Sequence, residues 1–211
     1  MPAGLNVIVD ISHNNPAVDF DQLQAAGVLG VIHKATQGVD FVDLQYALRR
    51  SAALSAGLLW GAYHFGTADA DGADQADAFL KTVGDTTDTV LVLDFEDNPS
   101  GSGTGMSLQQ ARDFVTRVSQ EIGRYPGFYS GAWIKQLLGT GHDPVLAKCW
   151  FWLSQFGPNA VVPQNWPTWK LWQYTDGTFG PLPHEFPGST AKFDRDLFNG
   201  SADDLHSFWG T

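Results

Sequence analysis

Short apolar runs separated by turn-forming residues dominate the pattern of this chain, and such runs predict buried β-strands. The first four runs are nearly continuous in apolar residues, as is typical of parallel strands covered on both faces. Four fainter runs follow in the second half of the chain. The eight predicted strands are residues 5–11, 28–35, 57–65, 89–95, 127–130, 149–154, 170–174 and 192–194.

Helical patterns connect the early strands, and the clearest one lies between Ser107 and Gly123. Ser107 and Gln110 form an S-x-x-Q capping box, and Gly123 supplies a stop. The apolar residues between them fall on one face at helical spacing. Weaker helical patterns cover residues 20–26, 44–56, 74–83 and 132–138. After residue 154 the helical period disappears, and loops are predicted between the last strands.

Five strand–helix units followed by three strands joined by loops would form a truncated relative of the (β/α)8 barrel, in the α/β class. The sequence contains no internal repeat and no linker-like segment, so we expect a single domain over residues 1–211. The Gly- and Ser-rich stretch 98–105 directly follows a predicted strand, where such barrels carry functional loops. A surface linker without function is the alternative for that stretch.

Composition and charge narrow the class of protein. The chain carries 23 acidic and 12 basic side chains, and its net charge of −11 repels nucleic acids and anionic membrane surfaces. Cys149 is the single cysteine, which excludes an intrachain disulfide, and zinc-binding cysteine spacings do not occur. The chain has no 18-residue apolar stretch and does not begin like a secretory signal peptide. We therefore expect a folded monomer that binds neither nucleic acid nor membrane.

Asp94 and Glu96 are the strongest candidates for chemistry, because they end the apolar run 90–93 as a D-x-E pair. Residues i and i+2 of a strand share a face, with Cα atoms about 6.5–7 Å apart. Phe95 between them is expected to point into the packing. Barrel enzymes place catalytic groups at the carboxyl ends of their strands, and mutual repulsion would give one acid and one base. The alternative is that the acids mark the solvated end of a strand.

Two further acids lie at the ends of predicted strands, Asp10 in the first and Asp194 in the last. The first and last strands of a closed barrel are neighbours, so we expect these two carboxyl groups to meet at the same mouth. For Asp194, a salt bridge with Arg195 or a role in the turn before Asn199 and Gly200 is the structural alternative.

The ordered set of these segments resembles glycoside hydrolase family 25, the Chalaropsis-type lysozymes, over nearly the whole chain. The resemblance implies a flattened (β/α)5(β)3 barrel with eight strands and five helices. It also implies hydrolysis of the β-1,4 bond between N-acetylmuramic acid and N-acetylglucosamine in peptidoglycan. The matching segments are Asp10-Ile-Ser12, Lys34-Ala-Thr-Gln-Gly38, Gly61-Ala-Tyr63-His64-Phe65, Asp94-Phe95-Glu96, Phe128-Tyr129-Ser130, Leu171-Trp-Gln173-Tyr174-Thr175, and Phe193-Asp194 with Phe198-Asn199-Gly200.

By position, the resemblance gives Glu96 the role of general acid, and it gives the other carboxylate places of the cleft to Asp94, Asp10 and Asp194. Gln37 stands where the family usually carries Glu. Rings at strand ends can stack on sugar faces, and a buried lysine needs a partner, for which we expect the carboxylate cluster. The side chains predicted to contact substrate are Tyr63, Tyr129, Lys34, Trp152, Gln173 and Tyr174.

Two other functions remain open at this point, a barrel that binds wall glycans without cutting them and a chitinase-like hydrolase. Binding would not require a proton donor beside a second carboxylate. The six histidines show neither HExxH nor HxxxH, and no G-x-S-x-G motif occurs, so we expect neither metal nor cofactor. Cys149 and His64 are interpreted as core residues. The expected place of action is the extracellular or periplasmic cell wall, and the localisation of the protein is left open.

Overall fold

The predicted barrel is present in the computed structural model of the chain, which describes residues 4–15, 18–97, 105–187 and 192–210. Within them lie nine strands, six α-helices and one short 3-10 helix, Leu146–Lys148. The strands are β1 Leu5–Ile11, β2 Gly30–Gln37, β3 Phe41–Val42, β4 Leu59–Phe65, β5 Thr89–Asp94, β6 Gly127–Ser130, β7 Trp150–Ser154, β8 Leu171–Thr175 and β9 Asp194–Phe198. The helices are α1 Phe20–Ala25, α2 Tyr46–Ser55, α3 Gly72–Val83, α4 Leu108–Ile122, α5 Ala132–Leu138 and α6 Ala202–Trp209.

Eight of the strands close into a barrel. Hydrogen bonding runs through β1, β9, β8, β7, β6, β5, β4 and β2, and β2 pairs with β1 again. β9 is antiparallel to both of its neighbours, whereas the other barrel strands are parallel to one another. The two-residue strand β3 pairs with β2 as a hairpin. Helices α1 to α5 connect the strands from β1 to β7, so the (β/α)5(β)3 order is confirmed.

Two layers of apolar side chains hold the barrel together. One cluster fills the barrel interior and includes Ile8, Ile32 and Val92. A larger cluster lies between the strands and the surrounding helices. Helix α6 closes the end of the barrel opposite the carboxyl ends of the parallel strands. Its Trp209 is fully buried in the interior cluster, and Trp209 Nε1 donates to the carbonyl oxygen of Trp60 at 2.7 Å.

Helix α4 illustrates how the sequence sets an element. Ser107 Oγ accepts from the backbone N–H of Gln110, and the Gln110 side chain accepts from the backbone N–H of Ser107, so the predicted capping box is confirmed. The left-handed conformation of Gly123, with φ of 76°, ends the helix at the predicted stop. The buried residues between these ends fall on one face, where they pack onto the barrel.

Twelve of the thirteen predicted elements agree with the structure within two residues at each end, and the exception is the last strand. The prediction of residues 192–194 was wrong, because β9 begins at Asp194 and continues through the charged pair Arg195 and Asp196. Charged residues do not follow the apolar pattern that predicts a buried strand. In β9 the Arg195 side chain points out of the barrel and the Asp196 side chain points into it, and both are buried. The hairpin strand β3 and helix α6 were not predicted, so the implied number of five helices is one too low.

The connections after β7 carry no helix or strand of their own in the described residues, as predicted. Residues 98–104 of the Gly- and Ser-rich stretch lie outside the described residues. No helix in the described ranges is both long enough and apolar enough to cross a membrane.

Candidate active site

The carboxyl ends of the parallel strands surround one cavity. Asp94 is the last residue of β5, Glu96 follows two residues later, and Asp10 is the penultimate residue of β1. Asp194 starts β9 and pairs in register with Asp10. Because β9 is antiparallel, its first residue lies at the same rim as the last residues of β1. The sequence-based expectation that Asp10 and Asp194 meet is therefore confirmed, although Asp194 begins its strand instead of ending it.

The cavity has a volume of about 390 Å³, within the usual range of ligand sites of roughly 300–1,000 Å³. Every side chain predicted for the site lines this cavity except that of Tyr174. The residues that line it are Asp10, Ser12, Asn14, Asn15, Lys34, Tyr63, Phe65, Asp94, Glu96, Tyr129, Trp152, Phe156, Gln173, Asp176 and Asp194.

Tyr174 lies on the outer face of β8, away from the cavity. Successive residues of a strand point to opposite faces, so Gln173 turns into the barrel and Tyr174 turns out. The Tyr174 hydroxyl donates to the carbonyl oxygen of Pro183 at 2.9 Å and accepts from Asn6 Nδ2 at 2.8 Å. The ring is 1% exposed in the outer core. This placement argues against the substrate contact predicted for Tyr174.

A chain of hydrogen bonds crosses the floor of the cavity. Gln173 Nε2 donates to Asp10 Oδ2 at 2.8 Å, and Gln173 Oε1 accepts from the Tyr129 hydroxyl at 2.8 Å. The same hydroxyl is hydrogen-bonded to Ser154 Oγ at 2.9 Å. These contacts join β1, β6, β7 and β8 and fix the orientation of the Asp10 carboxyl group.

Burial is the main cause of the raised pKa values of Asp10 and Asp194. It raises the pKa of Asp10 well above its usual range, and the charges of Asp194 and Asp196 raise it further. Burial and the charge of Asp176 raise the pKa of Asp194 to about 6. This side of the cavity therefore holds protons at a pH where isolated aspartic acids have lost them.

The D-x-E pair is perturbed in the same direction. Burial and then the charge of Glu96 raise the pKa of Asp94 well above its usual range, and the nearby charge of Lys34 opposes this rise. Burial and the charge of Asp194 raise the pKa of Glu96. Phe95 between them is buried against Phe128, as predicted. The pair therefore keeps a protonated carboxyl group to higher pH than isolated acids do.

Lys34 lies in the cavity, but the partner of its ammonium group differs from the prediction. Nζ donates to Gln37 Oε1 at 2.6 Å and lies over the rings of Phe41 and Phe65. No ion pair with a carboxylate is formed by Lys34 within the described residues. Its charge acts on Asp94 through space, and burial is the main cause of the lowered pKa of Lys34. Because the Gln37 amide is neutral, it does not cancel the positive charge of Lys34, which still lowers the pKa of Asp94.

Other expectations concerned core residues. His64 is fully buried, with its ring nitrogens bonded to Thr36 Oγ1 at 2.8 Å and Gln75 Oε1 at 3.1 Å, so its core role is confirmed. Cys149 is buried as expected, and burial raises the pKa of its thiol. Arg195 donates to main-chain carbonyl oxygens, so the salt bridge with Asp194 is not formed.

Sequence reasoning missed several lining residues, although some carried a signal. Asp176 directly follows the apolar run of β8, in the same way that Asp94 ends β5. Ser12, Asn14 and Asn15 follow β1, where loop residues at the barrel mouth are expected. Phe156 follows β7 in a segment treated as a plain loop. These five residues share one signal, since each lies within four residues after the end of a barrel strand, and Phe65 is itself the last residue of β4.

The loop after β1 is held by polar contacts from α2 and the segment before it. Arg49 donates to the carbonyl oxygens of Ser12 at 2.7 Å and Asn15 at 3.0 Å. The Asp43 carboxylate accepts from the backbone N–H of His13 at 2.8 Å. These bonds fix the loop on the cavity wall without placing Arg49 or Asp43 in the cavity.

A barrel with paired carboxyl groups at its mouth, aromatic walls and raised carboxyl pKa values defines a glycoside hydrolase of the barrel type. The described residues contain no cluster of three or more His, Cys, Asp or Glu side chains that could hold a metal ion. Most glycoside hydrolases use two carboxyl groups to cleave the glycosidic bond, and this cavity contains several.

Comparison with known proteins identifies the family. Residues 9–180 match the family model described as Glycosyl hydrolases family 25. Lysozyme M1 of Streptomyces globisporus is 34% identical over 207 residues, which cover 92% of this chain and 68% of that protein. The N,O-diacetylmuramidase of Chalaropsis sp is 28% identical over 211 residues, with 93% and 95% covered. The crystal structure of a bacterial lysozyme from Streptomyces coelicolor superposes with a TM-score of 0.85 at 31% identity, covering 99% and 98%.

The chain belongs to glycosyl hydrolase family 25, because the family model matches most of its length. The family resemblance in the ordered sequence motifs is thereby confirmed. The eight-stranded barrel agrees with the lysozyme structure that superposes on it.

Proposed function

We propose that Glu96 is the general acid of an N-acetylmuramidase and that the pair formed by Asp94 and Glu96 carries the reaction. This family 25 enzyme hydrolyses the β-1,4 bond between N-acetylmuramic acid and N-acetylglucosamine in peptidoglycan. One observation carries the assignment of roles. Two carboxyl groups with raised pKa values stand together at the end of β5, in a cavity of suitable size.

Glu96 is suited to donate a proton to the leaving oxygen. It borders the cavity, and burial together with the charge of Asp194 keeps its pKa above the ordinary value. A general acid works best when its pKa lies near the working pH, because it then holds a proton and also releases it readily. After cleavage, the same carboxylate activates water for the second step.

Asp94 is proposed to orient the acetamido group of muramic acid. Burial raises the pKa of both Asp94 and Glu96, so the coupled pair retains a proton more readily than isolated carboxyl groups do. Donation from the substrate N–H to Asp94 would stabilise its carboxylate, with help from the charge of Lys34. The proton then belongs on Glu96, where protonation of the leaving oxygen requires it.

The acetamido carbonyl oxygen is proposed to attack the anomeric carbon in place of an enzyme nucleophile, which gives net retention of configuration. Substrate assistance of this kind is an established exception to the two-carboxylate scheme. The bond to the leaving oxygen breaks as the oxazolinium ring forms, and water activated by Glu96 then opens that ring. Asp10 and Asp194 support the cluster and bind sugar hydroxyl groups.

The remaining lining residues are proposed to bind the sugar. The half-buried ring of Tyr63 is available to pack on a sugar face, whereas Tyr129 and Trp152 border the cavity but are only 8% and 2% exposed. Burial raises the pKa of both tyrosines well above the ordinary value, so their hydroxyl groups stay protonated donors. Lys34 and Gln173 supply further donors. We also expect residues 1–211 to act as one catalytic domain and as a monomer, without a nucleic-acid or membrane partner.

Mass spectrometry of the fragments released from purified peptidoglycan tests the proposed activity. The expected fragments end in reducing N-acetylmuramic acid, and Glu96→Gln should release them at least ~10²-fold more slowly than the wild type. Reducing N-acetylglucosamine or free peptide would contradict the muramidase assignment. Chitin is the matched second substrate, and its hydrolysis at a comparable rate would favour the chitinase-like alternative. Tight binding of the wall without released fragments would favour the binding barrel.

A further inference from the structure

Asp196 lies beneath the cavity and does not line it. It follows Asp194 by two residues on β9, so strand alternation turns both side chains into the barrel. The register between β1 and β9 pairs Asp10 with Asp194 and Ile8 with Asp196. Asp196 is therefore the diagonal neighbour of Asp10 across the two strands. It is completely buried, whereas Asp10 reaches the cavity.

The hydrogen bonds of Asp196 satisfy one of its two oxygens. Oδ1 accepts from Trp152 Nε1 at 2.7 Å. Oδ2 is buried and has no hydrogen-bond partner among the residues that the structure describes. The Asp10 carboxyl group lies within hydrogen-bonding reach of Asp196, and Asp10 Oδ2 is already the acceptor for Gln173. The two carboxyl groups therefore meet with one unsatisfied oxygen.

No cation neutralises this pair in the described part of the chain. Arg195, the next residue on β9, points outward and donates to the carbonyl oxygens of Pro183 and Glu185. Lys34 donates to Gln37. Acids and phenols are the titratable groups that act on the pair from the neighbouring strands: Asp194 on β9, Tyr63 on β4, Tyr129 on β6 and Tyr174 on β8.

Two buried carboxylates in contact repel each other, and a buried carboxylate oxygen without a donor is costly. One bound proton removes both penalties, because it cancels one charge and bridges the two groups. We propose that Asp196 is a positioning residue that shares a single proton with Asp10 at neutral pH and so holds the Asp10 carboxyl group fixed against Gln173. The inference rests on the proposed function in that Asp10 belongs to the reacting cluster.

The perturbation of both groups agrees with a shared proton. Burial is the largest cause at Asp10 and at Asp196, and it raises the pKa of each well above the usual range. The charge of Asp194 raises both further. The hydrogen bond from Trp152 opposes the rise at Asp196, because it stabilises the carboxylate form.

Asp196→Asn tests the shared proton directly. The asparagine carbonyl can still accept from Trp152, and its amide can donate to Asp10, so the hydrogen bonds are preserved without a proton. The infrared band of a protonated carboxyl group is measured with wild type and variant at neutral pH. Other carboxyl groups of the cavity also have raised pKa values. We therefore expect the band of Asp196→Asn to be weaker than that of the wild type by the contribution of one carboxyl group. The limb of the pH profile of kcat/KM due to the pair should move to lower pH by on the order of one unit.

Trp152→Phe is the second variant, and it is expected to act in the opposite direction. Loss of the indole N–H removes the donor that favours the ionised pair, so the protonated band should persist to higher pH than in the wild type. Asp203→Asn, on the exposed face of α6, removes one carboxyl group as a control and should leave the band unchanged. Opposite shifts cannot arise from general loosening of the fold. Identical bands in wild type, Asp196→Asn and Trp152→Phe would overturn the proposal. It would also be overturned if both variants moved the pH at which the protonated band disappears in the same direction.

The infrared measurement needs no substrate, so its failure is distinct from failure of the proposed function. Asp196→Asn retains Glu96 and Asp94, and we expect it to release muramic acid fragments at its own pH optimum. Muramidase activity with an unchanged band contradicts only the shared proton. A changed band without released fragments from the wild type contradicts only the proposed function.

Discussion

Gln173 Nε2 donates a 2.8 Å hydrogen bond to Asp10 Oδ2, although 163 positions separate the two residues in the chain. Oε1 of the same amide accepts from the Tyr129 hydroxyl at 2.8 Å. A primary amide donates at one end and accepts at the other, which neither a carboxylate nor an apolar side chain can do. The amide therefore orients Asp10 and keeps the Tyr129 hydroxyl in the cavity wall.

Tyr129→Phe should weaken this arrangement without disturbing the packing of the ring. Gln173 Oε1 would lose its donor, and the loss of one buried hydrogen bond at about 1–2 kcal/mol corresponds to a roughly 5- to 30-fold lower kcat/KM. Tyr125→Phe is the matched control, because the Tyr125 hydroxyl bonds to exposed Lys148 at 3.3 Å, away from the cavity. Equal wall-lysis rates for the two variants would mean that the Tyr129 hydroxyl plays no part.

Gln37→Glu should move the pH profile to higher pH. The new carboxylate would stand 2.6 Å from Lys34 Nζ if the side chain kept its position, and it would neutralise the charge that now favours ionised Asp94. The added negative charge and the neutralised Lys34 both raise the pKa of the Asp94–Glu96 pair. The alkaline limb of kcat/KM should therefore move to higher pH by several tenths to about one pH unit. Gln24→Glu adds the same charge on exposed α1 and should not move the limb. A shift to lower pH in Gln37→Glu would refute the coupling.

Asp194→Asn should increase stability at neutral pH. The folded-state pKa of Asp194 is raised to about 6, so the folded protein binds this proton more tightly than the unfolded chain does. The stabilising effect of the proton is complete below the unfolded-state pKa and is lost as pH rises through about 6. Denaturant unfolding should show the variant more stable than the wild type by on the order of 1–3 kcal/mol at pH 7. The difference should shrink toward pH 4, and a difference that grows there would contradict the raised pKa.

Much of the barrel could be predicted because each element has a local signal. The buried strand β5 is a run of apolar residues, and α4 carries its own capping box and its stop at Gly123. Asp94 and Glu96 could be assigned to the site because they end such a strand. The pairing of Asp10 with Asp194 followed from closure of the barrel, which is a topological constraint and not a local one.

The rest depended on contacts between distant segments. β9 contains Arg195 and Asp196, and the Trp152 indole N–H that satisfies one oxygen of the buried Asp196 comes from β7. Helix α6 has a capping box at Ser201 and three apolar residues at helical spacing, yet its identity as the plug of the barrel requires Trp60 as a partner. The partner of Lys34 is local by contrast: a carboxylate was expected, and Nζ donates to Gln37, three residues further along β2. No local pattern distinguishes these partners.

The stereochemistry of the first product tests substrate assistance. Proton NMR of the fragments during the first minutes should show the β-anomer before mutarotation, because two inversions at the anomeric carbon give net retention. An initial α-anomer would mean direct attack by water and would contradict the proposed role of Asp94. A trapped glycosyl ester on an enzyme carboxylate would leave retention intact and would replace the acetamido oxygen as nucleophile.

Turnover of Glu96→Gln is the most direct test of the central claim that Glu96 is the general acid. The substitution keeps the size of the side chain and removes the acidic proton, and general acid catalysis contributes roughly 10²- to 10⁴-fold. Glu121→Gln is the matched control, because Glu121 is exposed on α4 and pairs with Arg117. With the thermal midpoint of unfolding unchanged, kcat on peptidoglycan should fall at least ~10²-fold in Glu96→Gln and stay unchanged in Glu121→Gln. A folded Glu96→Gln that keeps more than about a tenth of wild-type kcat would contradict the assignment.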